Sequence, residues 1–131
     1  MFLHRSVFIP FVLALLVGCS SAPTATPTPA FSPNSPEGRG FALFSGKGRC
    51  PTCHSLSPET VLVGPSLAGI ASRAATREPG LSAPDYIEES ILLPDKFKAP
   101  GFEKVQMDMT LAKTLTIDEI ADIVAYLLTV K

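Results

Sequence analysis

The chain has 131 residues, enough for one small domain, and its 11 basic and 12 acidic side chains leave a formal net charge of −1. No large cationic field exists to attract nucleic acid, so no nucleic-acid partner is expected. Thirteen prolines, crowded after the first apolar run, suggest a linker ahead of the folded part, and three cysteines leave an odd one to explain.

His4 and Arg5 precede an apolar run from Val7 to Val17 that only Pro10 interrupts. A short basic region ahead of about 7–15 apolar residues is the pattern of a secretory signal, and the run falls short of the roughly 20 residues that span a membrane. It closes on Leu16-Val17-Gly18-Cys19, which resembles the bacterial lipobox. That resemblance implies a lipoprotein signal peptide over residues 1–18 and a lipid on Cys19, the first residue of the mature chain. The alternative is an uncleaved N-terminal anchor. Both readings place the rest of the chain outside the cytoplasm and on a membrane. Residues 19–35 then read as a lipidated Pro/Ser/Thr-rich tether, whose single aromatic is Phe31. Such a composition has too little apolar surface to fold, and Pro-rich chain extends by about 3.1 Å per residue.

At Ser35-Pro36-Glu37 the pattern changes to an N-cap, a proline at the first helical position and an acid in the first turn. Phe41 and Phe44, three apart, share a face of this helix, and Gly46-Lys47-Gly48 ends it. Cys50-Pro51-Thr52-Cys53-His54 follows, the C-x-x-C-H pattern of covalent c-type haem attachment. Two cysteines three apart lie on one helical turn, matching the two vinyl groups on one porphyrin edge, and the adjacent histidine is held beneath the iron. Rival readings are a thiol–disulfide enzyme, a zinc site or a structural disulfide. The first needs a thiolate in a strand–helix–strand setting, which is not evident. The second normally needs four ligands where three are offered. The third gives His54 no role.

Ser82 to Leu93 reads as a further helix. Ser82 and Asp85 have capping-box spacing, Pro84 sits in the first turn, Tyr86, Ile87 and Ile91 supply the apolar face, and Pro94 stops it. In the last helix Thr116-Ile117-Asp118-Glu119 forms a capping box, with Leu115 and Ile120 at the staple positions. Ile117, Ile120, Ile123, Val124, Leu127 and Leu128 then make one apolar stripe. Neither an internal repeat nor a strand alternation is evident. Residues 36–131 are therefore expected to form one all-α domain of short helices with a modest core, to which a fixed prosthetic group would add apolar contact.

From about Ser35 to Lys131 the chain resembles the class I cytochrome c family in four places. The first is Gly40-x-x-x-Phe44, where the family's glycine lets the last helix cross closely, here beside Tyr126 and Leu127. The second is Gly64-Pro65-Ser66-Leu67-Ala68-Gly69, similar to the family's G-P-x-L-x-G. The resemblance implies that the Pro65 carbonyl accepts a hydrogen bond from His54, that Leu67 packs on the haem, and that Arg73 lies near a propionate. The third is the sixth iron ligand. Met107 lies eight positions before Leu115, the family's spacing, with Met109 as the alternative, and Asp108 stands where the family commonly has proline. The fourth is the terminal helix from Asp118 to Lys131, with Ala125-Tyr126-Leu127.

The resemblance implies a cytochrome c-like domain around one covalently attached haem c, ligated axially by His54 and Met107. Its expected function is to shuttle single electrons between membrane-bound respiratory or photosynthetic complexes, without being an enzyme. Expected partners are the membrane, through the lipid on Cys19, and redox proteins such as a quinol-oxidising complex and a terminal oxidase or reaction centre. The expected location is the outer face of the cytoplasmic membrane or the periplasm. The alternative is a haem-based ligand sensor or peroxidase-like enzyme with an open sixth position. Lys47, Arg49, Lys96, Lys98 and Lys104 are expected to form a mildly basic rim. Glu88, Glu89, Asp118, Glu119 and Asp122 are expected to face elsewhere.

Overall fold

Ser35 opens the first helix because its side chain accepts the Gly38 N–H, 3.1 Å away, leaving Pro36 at a position that needs no donor. The computed structural model describes residues 31–131, apart from the side chains of Leu111 and Ala112. The signal segment, Cys19 and the tether up to residue 30 lie outside the described residues. Five α-helices follow in order: α1 (Pro36–Ser45), the single turn α2 (Ile70–Arg73), α3 (Ala83–Leu92), α4 (Met109–Thr114) and α5 (Ile117–Leu127). No strand occurs among the described residues. The all-α expectation and the positions of the three longest helices hold to within a few residues.

The core is the crossing of α1 with α5. Phe44, Ile120 and Ile123 are its largest fully buried side chains. A Cβ at Gly40 would overlap the Asp122 carbonyl oxygen, so only glycine lets the two backbones approach this closely. Tyr126 of α5 receives Phe41 and Phe44 with ring centroids 5.4 and 5.2 Å away. Phe31 packs on the same tyrosine edge-on at 6.2 Å. The last residues of the stretch read as tether thus join the folded unit, because one aromatic is enough to anchor them on α5. Arg39 grips Asp122 through two hydrogen bonds of 2.6 and 2.7 Å, tying α1 to α5 from the solvent side.

Two local expectations change. Ile117, expected in the apolar stripe, is the first residue of α5 and is 64% exposed. The terminal helix also stops at Leu127 rather than running to Lys131. There the chain turns so that the Val130 carbonyl can accept the Ala71 N–H of α2 at 3.1 Å. Tyr86 and Ile87 bring α3 onto the other side of the core, and Phe97 in the following loop packs on Tyr86 at 5.5 Å. That loop and the segment after α1 face each other and frame a cleft.

Candidate functional site

The Gly48 amide donates to the Leu43 carbonyl at 2.7 Å, closing α1 and turning the chain into the C-x-x-C-H segment. Cys50–Thr52 is a single 3-10 turn, entered through Arg49 in the left-handed region at φ 51°. The amides of Cys53 and His54 both donate to the Cys50 carbonyl, at 3.1 and 3.0 Å. This tight turn brings Cys50, Cys53 and His54 to one cleft.

The cleft spans about 1300 Å³ when the solvent space at its open mouth is counted, and its walls are mainly apolar. Phe44, Leu67, Ile70, Tyr86, Ile87 and Phe97 supply much of that surface, drawn from four separate parts of the chain. Cys50 and Cys53 are not joined to each other by a disulfide. Burial pushes the Cys50 thiol up to about 11, the opposite of what a thiolate nucleophile requires. No group of three or more His, Cys, Asp and Glu side chains suited to a metal ion occurs among the described residues. The geometry therefore offers little to the thiol-exchange, disulfide and zinc readings.

His54 is positioned from two sides. Its Nδ1 lies 2.8 Å from the Pro65 carbonyl oxygen, so Nδ1–H donates there and Nε2 keeps its lone pair. Gly64 lies directly against the ring: a Cβ on it would sit 2.6 Å from Cε1 and 3.0 Å from Nδ1. The Gly64–Leu67 segment is itself held, by Gly64 N–H to the Cys53 carbonyl and Leu67 N–H to the Ser55 carbonyl, each at 2.8 Å. Sequence reasoning paired Pro65 with His54 but missed why residue 64 must be glycine.

Arg73 also lines the cleft, and it is not a free surface group. Its Nη1 donates to the Ala68 carbonyl, its Nη2 to the Ser66 carbonyl at 2.5 Å, and its Nε is buried without a partner. Burial, then repulsion from Arg77, lowers its pKa. Arg77 lines the cleft as well, a placement the sequence did not suggest.

The two methionines are separated. Met107 lines the cleft that holds Cys50, Cys53 and His54. Met109, the first residue of α4, borders a different depression with Leu93, Pro94, Asp95 and Lys96. Asp108 between them caps α4 by accepting from Thr110 N–H at 2.9 Å and Thr110 Oγ1–H at 2.7 Å. Those bonds, and less strongly Arg49, hold its carboxyl below the usual carboxylate range.

The basic rim is weaker than its residue types suggest. Lys47 pairs with Glu119, Lys96 with Glu89 and Lys98 with Asp95, at 2.6 to 2.7 Å. Two of the acids expected to face elsewhere, Glu89 and Glu119, thus neutralise rim lysines. Only Arg49 and Lys104 of the five cations make no ion pair among the described residues.

The family model described as Cytochrome c matches residues 38–131. No curated protein matches the chain.

Proposed function

The chain belongs to the cytochrome c family, whose members bind haem c covalently and carry electrons, and on that premise we propose a single-haem, one-electron carrier held at a membrane. The observation carrying this reading is the convergence in one apolar cleft of two thiols, a histidine with Nδ1 already committed, and a methionine. These residues fit a haem. The thiols stand on one turn beside the histidine, the walls are apolar, and the buried Arg73 Nε is a donor that a propionate oxygen would satisfy.

When bound, the haem supplies the one-electron iron couple. Cys50 and Cys53 would hold it as thioethers, and His54 Nε2 and Met107 Sδ would be its iron ligands from the chain. The Pro65 carbonyl fixes the His54 tautomer and makes the ring more electron-rich. A thioether favours the reduced metal and raises the potential. Leu67, Ile70 and Phe97 would give the haem an apolar surrounding, which favours the less charged oxidation state. With His54 and Met107 both ligating, the iron would have no place left for a substrate, so the proposed role is electron exchange rather than catalysis.

The lipobox and the Pro-rich stretch support anchoring through Cys19, outside the cytoplasm. The partners we propose are a membrane-bound quinol-oxidising complex and a terminal oxidase or photosynthetic reaction centre. A membrane form that keeps Met1 and carries no acyl mass on Cys19 would overturn the anchor.

A redox-titrated absorption spectrum tests the site. The expected result is haem that survives acid–organic extraction, a sulfur-to-iron charge-transfer band in the oxidised protein, and no carbon monoxide binding by the reduced protein. Met107→Ala should lose the band and bind carbon monoxide, while Met109→Ala should keep the band. The reverse outcome would reassign the ligand. Carbon monoxide binding by the unaltered protein would overturn the carrier in favour of ligand sensing or peroxidase-like chemistry.

A further inference from the structure

Met107 lies in a stretch whose backbone does little to hold it. Among the described residues, no loop backbone–backbone hydrogen bond is donated by the amides of Gln106, Met107 or Asp108. The nearest such bond before them is Val105 N–H to the Phe102 carbonyl, at 3.0 Å. The ties that flank the methionine come instead from two charged side chains. Two residues before it, the Val105 carbonyl accepts from Lys98 Nζ at 2.7 Å, and the same ammonium holds Asp95 at 2.7 Å. One residue after it, Asp108 Oδ1 accepts from the Thr110 N–H and hydroxyl, closing the first turn of α4.

Both residues line the cleft with Met107, and the Lys98 ammonium is engaged by the Val105 carbonyl and Asp95. A proline after the methionine would preset the backbone through its ring. At this position the chain carries a residue that can set the backbone only through its side chain, as an N-cap.

We infer that Lys98 and Asp108 are positioning residues for Met107, clasping the loop on either side so that the sulfur stays aimed into the cleft. The inference rests on Met107 being the iron ligand. Its mechanism is local: each tie adds to the free energy of opening the loop, so losing one raises the fraction of time the sulfur is away from the iron. An added ligand binds only during that time.

Imidazole binding to the oxidised holoprotein reads this directly. Asp108→Ala removes the cap and should speed imidazole association about five-fold, the factor expected from loss of a typical N-cap. Lys98→Leu keeps the apolar stem, removes the ammonium, and should speed it by a comparable factor. Asp108→Asn retains a capping oxygen without the charge and should restore a rate close to that of the unaltered protein. In Asp108→Ala the charge-transfer band should also weaken. Thermal melting in the same samples separates loop opening from general loss of stability. If Met107→Ala removes the band while neither Asp108→Ala nor Lys98→Leu changes the imidazole rate, the clasp is wrong and the ligand assignment stands. If Met107→Ala leaves the band intact, the ligand assignment falls and the clasp with it. Asp108→Asn behaving like Asp108→Ala would overturn capping as the means.

Discussion

At residue 64 the demand for glycine comes from a neighbouring ring. The His54 imidazole occupies the space a Cβ would need, and its Nδ1 must still reach the Pro65 carbonyl one residue along. Gly64→Ala should therefore act in two ways. Overpacking should cost about 1–3 kcal/mol in unfolding free energy, and, with His54 as the proposed iron ligand, the displaced ring should donate less to the metal, visible as a shift in the Soret band and a raised potential. Unaltered stability, spectrum and potential in Gly64→Ala would refute this. The contrast with Cys50, Cys53 and His54 explains what the sequence could reveal. Their chemistry is local, since spacing along one turn brings them together. The roles of Gly64 and Lys98 depend on which ring or carbonyl elsewhere in the chain they meet, and no local pattern encodes that, while Asp108 acts locally on Thr110 but caps a helix too short for its periodicity to be read.

At the scale of elements, legibility followed capping. Ser35, Ser82 and Thr116 each accept a backbone N–H at a helix start, and all three helices were readable from those side chains. The short α2 and α4 were not: a four-residue helix and a six-residue one carry too little periodicity, and their ends depend on contacts such as Val130 with Ala71. At the start of α5 the capping box is joined to a second element. Glu119 accepts from Thr116 N–H at 2.8 Å and also receives Lys47 from the end of α1. Its carboxyl is held below the ordinary 4.5, chiefly by the Lys47 hydrogen bond and next by the Thr116 N–H. The stabilisation it gives is thus complete above 4.5 and is lost as the pH falls through the lower folded value. Glu119→Gln keeps the capping box but removes the charge. Denaturant midpoints should show the variant less stable than the parent at neutral pH, with the two converging once the pH falls below the carboxylate range. A constant difference across that range would refute the linkage.

For the whole molecule, burial is graded from a closed helix crossing to a less covered outer wall of the cleft. The α1–α5 crossing is closed by its own side chains: Phe44, Ile120 and Ile123 are almost completely buried there. The cleft shares Phe44 and Ile123 with that crossing and adds the buried Ile70, Tyr86 and Ile87, while Leu67, Ile91 and Phe97 complete its wall and are less covered. The sequence disclosed the all-α class and the C-x-x-C-H turn, but not this gradation, because periodicity tells which face of a helix is apolar and not what covers it. Nor did it disclose that the rim lysines are spent on Glu119, Glu89 and Asp95, since those pairs join separate elements. A domain of this size has little stability to spare. If a covalent haem completes the apolar contacts of the cleft, then a chain that cannot attach it should keep the α1–α5 pair and lose ordered packing elsewhere. The Cys50→Ala, Cys53→Ala double variant, freed of haem, should retain much of its far-UV helical signal. Its near-UV signal and cooperative melting should be lost, the behaviour of a compact state without fixed packing. Should it instead melt cooperatively within about 4–8 °C of the haem-bearing protein, the shift that only 1 kcal/mol produces in such a domain, the cleft would be supported by the polypeptide itself, and the haem would be a passenger in a finished fold.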